Sequence, residues 1–362
     1  MQAAVLHRRR EPLVIEEVEL DPPGPGEAQV RFVASGVCHS DYSHWQRDTW
    51  SPLPLILGHE GSGLVTAVGP DVSQVKPGDH VILAFGNKCG VCAYCRRGEP
   101  YLCTPEDAGS NVHFRTHIHR HGQPIYQFQG IASFAQETTV PANNVIPIPD
   151  HVPLEPACLI ACGVSTGIGA VTNVAQVEVG ASVVVIGAGG VGLNVLQGAR
   201  LAGATRIIAV DLVPEKLELA RQFGATHVIR ADDGDVGQRI SQLTGGYGAD
   251  YAFEVIGLPQ TIRQAYDLTR KGGTMLVVGV AADDAQVTFS AADLMRSGKT
   301  IKGCVAGSAQ PYVDFPRLVD LWQAGRIMVS ELISRRFALD EVNAAFAAMA
   351  AGEVARGVIV YG

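Results

Sequence analysis

Residues 182 to 212 read SVVVIGAGGVGLNVLQGARLAGATRIIAVDL, and no other stretch of the chain limits its fold so strongly. An apolar run, Val183 to Ile186, leads into Gly187-x-Gly189-x-x-Gly192. Apolar residues then recur at helical spacing (Leu193, Leu196, Ala199, Leu201), and a second apolar run ends at Asp211. Strand, glycine turn, helix, strand and terminal acid together are the fingerprint of a dinucleotide-binding unit. Gly187 permits the tight turn, Gly189 lets backbone N–H groups approach a diphosphate, and Gly192 allows close packing of helix on strand. Gly190 and Val191, inside the turn, are counted with the same site, where the helix dipole favours an anion. Asp211 follows Gly192 by nineteen residues, placed to accept hydrogen bonds from a ribose 2′-hydroxyl and to repel a 2′-phosphate. Glycines that merely serve turns would leave Asp211 unexplained.

The rhythm continues downstream. ELARQFGA reads as a helix, THVI and ADYAFEVIG as strands, and GTMLVVGV as another strand after a helix, as in a doubly wound parallel sheet. The 362 residues exceed one ordinary core and imply two domains. From Glu178 to Arg200 the intervening residues carry no charge, but six glycines and a short buried strand argue against a membrane span. The N-terminus, MQAAVLHRRREPLVIEEVEL, has no apolar signal core, so a cytoplasmic location is expected. A net charge of −8 opposes nucleic-acid binding through a general basic surface. The short basic runs Arg8 to Arg10 and Arg96–Arg97 read as a turn and a solvated face.

The eight cysteines are unevenly spread, with four in CGVCAYCRRGEPYLC. In a reducing compartment such clusters are more often metal ligands than disulfides. Cys89, Cys92, Cys95 and Cys103 can close a tetrahedron of thiolates, the mark of a structural zinc site. An iron–sulfur cluster can use similar spacing. Cys38 in SGVCHSD, His59 in LGHEGSG and Cys162 in ACGVSTG could hold a second zinc at three corners, leaving one for water or substrate. Spacing alone supports that triple weakly, because an isolated cysteine or histidine is usually a packed core residue. In HFRTHIHRH, the alternating His113, His117, His119 and His121 are expected to be a loop feature rather than a third metal site.

GVCHSD, GHEGSG, VKPGDHV, the four-cysteine lobe, CGVSTG and GAGGVG occur together, in this order and spacing. This arrangement resembles the zinc-dependent medium-chain dehydrogenase/reductase family, in particular its two-zinc alcohol dehydrogenases, over nearly the whole chain. The resemblance implies an α/β protein. A GroES-like, β-rich catalytic domain would span 1–163 and 307–362, carrying the structural zinc lobe at 89–103. A Rossmann domain with a doubly wound parallel sheet would be inserted at 164–306. It also implies a cleft active site, two Zn2+ per chain, NAD, a small alcohol or aldehyde as partner, and a homodimer or homotetramer. Cys38, His59 and Cys162 become the catalytic zinc ligands. Asp41 becomes the carboxylate that orients His59, Glu60 the acid behind the metal, and Ser40 the hydroxyl that takes the substrate proton. Lys216 joins Asp211 at the adenosine ribose, Arg356 and His39 lie at the diphosphate, and Val280 belongs to the cofactor pocket. Phe85 and Thr49 line the substrate pocket, with Trp45 and Trp50 flanking that loop. Two departures stand out: His39 replaces an arginine, and Ser43 replaces the relay histidine, with His44 or water left as proton acceptor.

The expected reaction is reversible oxidation of primary alcohols, aromatic and medium-chain ones included, to aldehydes by hydride transfer to NAD+. The rivals are a formaldehyde dehydrogenase acting on a glutathione or mycothiol adduct, and a zinc-ribbon binding module with a nucleotide-sensing half. Neutral Thr49 and Ser51 stand where glutathione-type enzymes carry acids.

Overall fold

A computed structural model describes residues 1–48, 51–86, 88–103 and 114–362, the side chains of Phe114 and Arg115 excepted. The chain divides into two compact units, one of Met1–Cys162, Gln310–Gly325 and Val329–Gly362, the other of Gly163–Ala309 and Arg326–Met328.

The first unit is β-rich. One six-stranded sheet runs in the order Val14–Glu17, Gln2–Leu6, Leu55–Ile56, Gln123–Phe128, Phe114–Arg120, Glu19–Leu20. The other follows the order Val145–Ile148, His80–Leu83, Glu60–Val68, Glu27–Val37, Arg356–Val360, Ile333–Phe337, and Glu137–Pro141 also pairs with the long Glu27–Val37 strand. Leu6, Leu55, Ile56, Phe128 and Phe134 form a buried core closed by Phe346 of the Val342–Ala350 helix. The register of the long strand gathers the chemistry. Gly36 lies opposite Glu60, and Val37 opposite Gly357, so Cys38, His59 and Arg356 emerge at the same end. Gly36 makes room there: a Cβ on it would fall 2.0 Å from Glu60 Oε2.

The second unit has a six-stranded, wholly parallel sheet in the order His227–Arg230, Arg206–Asp211, Ser182–Ile186, Ala249–Glu254, Thr269–Val277, Thr300–Gly303. The order in which strands are added to the sheet reverses after Ser182–Ile186, the doubly wound pattern with its switch point at the glycine turn. Val184, Ile208, Ala252 and Met275 belong to one buried cluster on this sheet. The uncharged stretch resolves into the buried Ser182–Ile186 strand and the Gly190–Leu201 helix. Among the described residues no single helix is long and apolar enough to cross a membrane.

Candidate active site and metal centres

The His39–Gln46 helix organises the first cluster. Cys38 is its N-cap, and Asp41 accepts a hydrogen bond from the Cys38 N–H through Oδ2 at 3.1 Å. The other oxygen of Asp41 accepts from the Gly58 N–H at 3.0 Å and from His59 Nδ1 at 2.9 Å. This carboxylate is fully buried and fastens both ligand-bearing loops. With Nδ1–H committed to Asp41, His59 presents Nε2 to its other neighbours, as a metal ligand requires. The ligand atoms of Cys38, His59, Glu60 and Cys162 lie within 4.8 Å of one another, all buried.

The electrostatics suit a cation. Cys162 and His59 hold the Cys38 thiol well below its ordinary value against the opposing effect of burial. Burial disfavours charge on His59, yet Asp41 and Cys38 outweigh it and raise the imidazole to about 10. Two sulfurs and an imidazole nitrogen, with a carboxylate behind, form a donor set fitted to zinc, and metal uptake must displace the imidazole proton. Glu60 itself accepts a hydrogen bond from Arg356 Nη2. Arg356 is only 5% exposed, and its Nε has no partner.

The four sulfurs of Cys89, Cys92, Cys95 and Cys103 also lie within 4.8 Å of one another. Backbone N–H groups of Cys92 and Cys95 point at the sulfurs of Cys89 and Cys92, at 3.3 and 3.4 Å. Four converging thiols, with no fifth candidate ligand among the described residues, fit a closed structural zinc.

Around the first cluster, Phe85 sets its ring edge against His59, centroids 5.1 Å apart, and is half-buried. Ser40 Oγ lies 3.8 Å from Cys38 Sγ. His44 donates Nδ1–H to the Ser40 carbonyl at 2.9 Å, leaving Nε2 as the basic nitrogen. Its ring rests on Phe128, which also meets His59. Burial lowers the His44 pKa, with contributions from the Arg9 and His59 charges. His39 is exposed beside Tyr42. Trp45 is committed to packing against Tyr42 and Phe346, and its indole donates to the Glu11 carbonyl at 2.7 Å. Thr49, Trp50 and His113 lie outside the described residues. His117 and His119 each face a carboxylate on another segment, Glu27 and Asp21, at 3.1 and 2.9 Å. His121 sits in the turn at the end of its strand, with φ of 50°.

In the second unit the glycine turn has the geometry its sequence implies. Gly187 has φ of 100°, and a Cβ on Gly192 would fall 1.8 Å from the Gly187 carbonyl oxygen. The Gly190–Leu201 helix starts at this turn, with Gly189 as N-cap and Val191 in its first turn. Asp211 accepts from the Ala188 N–H at 2.7 Å and from the Val213 N–H at 3.0 Å, so it braces the turn. Lys216 is half-buried in the following helix, and Val280 is 62% exposed.

Two groups escaped sequence reasoning. Glu254 is fully buried, and its Oε1 accepts from Ile256 N, Gly257 N and Thr261 Oγ1, shaping the turn after its strand. The arginine run lies in a turn, as its sequence reads, but its side chains also reach distant partners. Arg9 donates to the carbonyls of His44 and Ser51, and Arg10 to that of Gln46. Nothing in a basic tripeptide signals partners more than thirty positions away.

Known proteins place this arrangement. Residues 24–150 match the alcohol dehydrogenase GroES-like domain, and residues 190–324 match the zinc-binding dehydrogenase domain. The chain is 38% identical to an NDMA-dependent alcohol dehydrogenase of Amycolatopsis methanolica, covering 99% of this chain and 98% of that one. It is 39% identical to an S-(hydroxymethyl)glutathione dehydrogenase of Paracoccus denitrificans, covering 99% of each. The crystal structure of a benzyl alcohol dehydrogenase from Acinetobacter calcoaceticus superposes with a TM-score of 0.94 at 34% identity, over 100% of this chain and 99% of that one. The chain belongs to the zinc-dependent medium-chain dehydrogenase/reductase family, and it is an oxidoreductase of the alcohol dehydrogenase kind.

Proposed function

We propose that the protein is an NAD(H)-dependent alcohol dehydrogenase acting on primary alcohols with apolar bodies. The observation that carries this reading is the convergence of Cys38, His59 and Cys162 with Asp41 fixed behind the imidazole. Those three residues would hold the catalytic zinc, and Cys89, Cys92, Cys95 and Cys103 the structural one. When bound, the catalytic zinc supplies a Lewis acid for the alcohol oxygen and the nicotinamide supplies the hydride acceptor. The chain's own residues do the rest. Asp41 fixes the tautomer and orientation of His59. Ser40 Oγ takes the substrate hydroxyl proton and passes it outward, and His44 Nε2 is its acceptor, neutral near pH 7 because burial lowers its pKa. Arg356 holds the Glu60 carboxylate beside the residues that would bind the zinc. Phe85 presents an aromatic wall to the substrate body, and apolar contact there contributes ~25 cal/mol per Å2. Gly187, Gly189 and Gly192 receive the cofactor diphosphate, with Asp211 at the ribose.

The relative of Paracoccus denitrificans keeps a second reading in view, oxidation of a thiol adduct of formaldehyde. Against a glutathione adduct stands the neutral Ser51, which is buried and tied through its carbonyl to Arg9. The deciding experiment is kcat/KM with NAD+ across ethanol, hexanol, benzyl alcohol and formaldehyde, the last with and without glutathione or mycothiol. Turnover of the alcohols without thiol is expected. Turnover of formaldehyde plus thiol alone would transfer the protein to the second reading.

A further inference from the structure

The end of the His39–Gln46 helix is held from outside. Its final carbonyls have no partners within the helix, as at any helix C-terminus. Here the N-terminal segment supplies them: Arg9 Nη1 donates to His44 O at 2.5 Å, the Arg10 N–H to Trp45 O at 2.9 Å, and Arg10 Nε to Gln46 O at 2.8 Å. Arg9 Nη2 reaches further, to Ser51 O at 2.7 Å, while Trp45 returns a hydrogen bond to Glu11 O at 2.7 Å. Arg10 turns through a left-handed backbone conformation, φ of 66°, to make its contacts.

The two arginines differ in weight. The Arg10–Asp48 pair is exposed, with side chains 62% and 80% accessible, and contributes little. Arg9 is half-buried and forks between two backbone carbonyls in a partly buried setting, the kind of charge-assisted contact that fixes geometry. What it grips matters: the same helix carries Ser40, Asp41 and His44, and the His44 carbonyl is one of the two acceptors.

We propose that Arg9 is a positioning residue that sets the seat of this helix, and with it the placement of Ser40 and His44 and of Ser51, for proton transfer and substrate choice. The catalytic half of this proposal rests on the alcohol dehydrogenase reading, whereas the mechanical half stands on the hydrogen bonds alone. Methionine at position 9 keeps the length and the apolar stem but removes the fork.

The test compares Arg9→Met, Arg9→Lys and Arg8→Met as zinc-loaded, full-length enzymes. Arg8 is the control, being 79% exposed and 3.6 Å from Glu11. Hydrogen exchange is followed in peptides covering residues 42–53, and kcat and KM are measured separately for ethanol and benzyl alcohol. Arg9→Met is expected to speed exchange about tenfold through local opening, to lower kcat, and to change the benzyl-to-ethanol ratio of kcat/KM about fivefold or more. Arg9→Lys should restore part of each, and Arg8→Met should match wild type. Wild-type exchange in Arg9→Met would overturn the clamp. Faster exchange with an unaltered ratio and unaltered kcat would overturn the positioning role and leave a purely structural contact. If wild type oxidises no alcohol, the functional reading fails while exchange still judges the clamp, and the kinetic half is then scored on the thiol adduct.

Discussion

A single carboxylate illustrates how one residue can serve both fold and function. Asp211 ends its strand, accepts from Ala188 N and Val213 N, and so holds the glycine turn and the start of the next helix together. Leu212, Val213 and Pro214 follow it, so no arginine stands there to neutralise a 2′-phosphate. Its negative charge should therefore disfavour NADP+ by at least ~1–3 kcal/mol, the cost of an unmatched polar contact. Asp211→Ala is expected to narrow the ratio of kcat/KM for NAD+ over NADP+, mainly by improving NADP+. Because the carboxylate also braces the turn, the variant should lose some affinity for NAD+, and its gain with NADP+ should be partly offset. A wild-type preference for NADP+ would contradict this account. The strand-terminal position of Asp211 was legible in the sequence and is what suggests a ribose contact, but the brace was not legible, since backbone partners carry no residue-type signal.

At the scale of elements, the parallel strands were readable because their buried residues appear as unbroken apolar runs, VVVI and IIAV among them. What joins them was less visible. Asp250 accepts from Ser182 N at 2.7 Å, from Ser182 Oγ at 2.6 Å and from Arg270 Nε at 2.6 Å, linking three neighbouring strands near their starts. These residues lie 68 and 20 positions from it, beyond any local pattern. Burial raises the Asp250 pKa, but the Ser182 and Arg270 contacts prevail and lower it below the ordinary 3.8. A carboxylate with a depressed folded pKa contributes stability that is present above its unfolded pKa and lost as pH falls through the folded value. Asp250→Asn should thus lower unfolding free energy at pH 7 by about 1.5–3 kcal/mol, the range for hydrogen bonds to a charged group. The deficit should shrink below pH ~3.8. Urea melts at pH 7 and in acid measure both, and a constant deficit would refute the assignment. The arginine run shows the same limit of sequence reading: its partners at His44 and Ser51 exist only once the Gln2–Leu6 strand has brought the chain ends of two elements together.

On the scale of the whole molecule, two clusters of side chains that could hold a metal ion stand among the described residues, and they differ in design. The four-cysteine lobe is closed and local, fourteen residues from first ligand to last, so its spacing alone announced it. The other draws Cys38, His59 and Cys162 from three separate segments of the chain, and in the sequence it became legible only through the order of motifs around it. A closed site contributes folding free energy, while an open one serves chemistry. The central claim is that these two roles are separate, and paired variants test it most directly. Zinc per chain, thermal midpoint and NAD+ reduction by benzyl alcohol should be measured together for wild type, Cys92→Ser and Cys162→Ala. The account predicts about two zincs in wild type, a clearly lowered midpoint for Cys92→Ser, and a folded Cys162→Ala whose turnover falls by several orders of magnitude. One zinc in wild type, or a Cys162→Ala enzyme that still oxidises the alcohol at the wild-type rate, would contradict it.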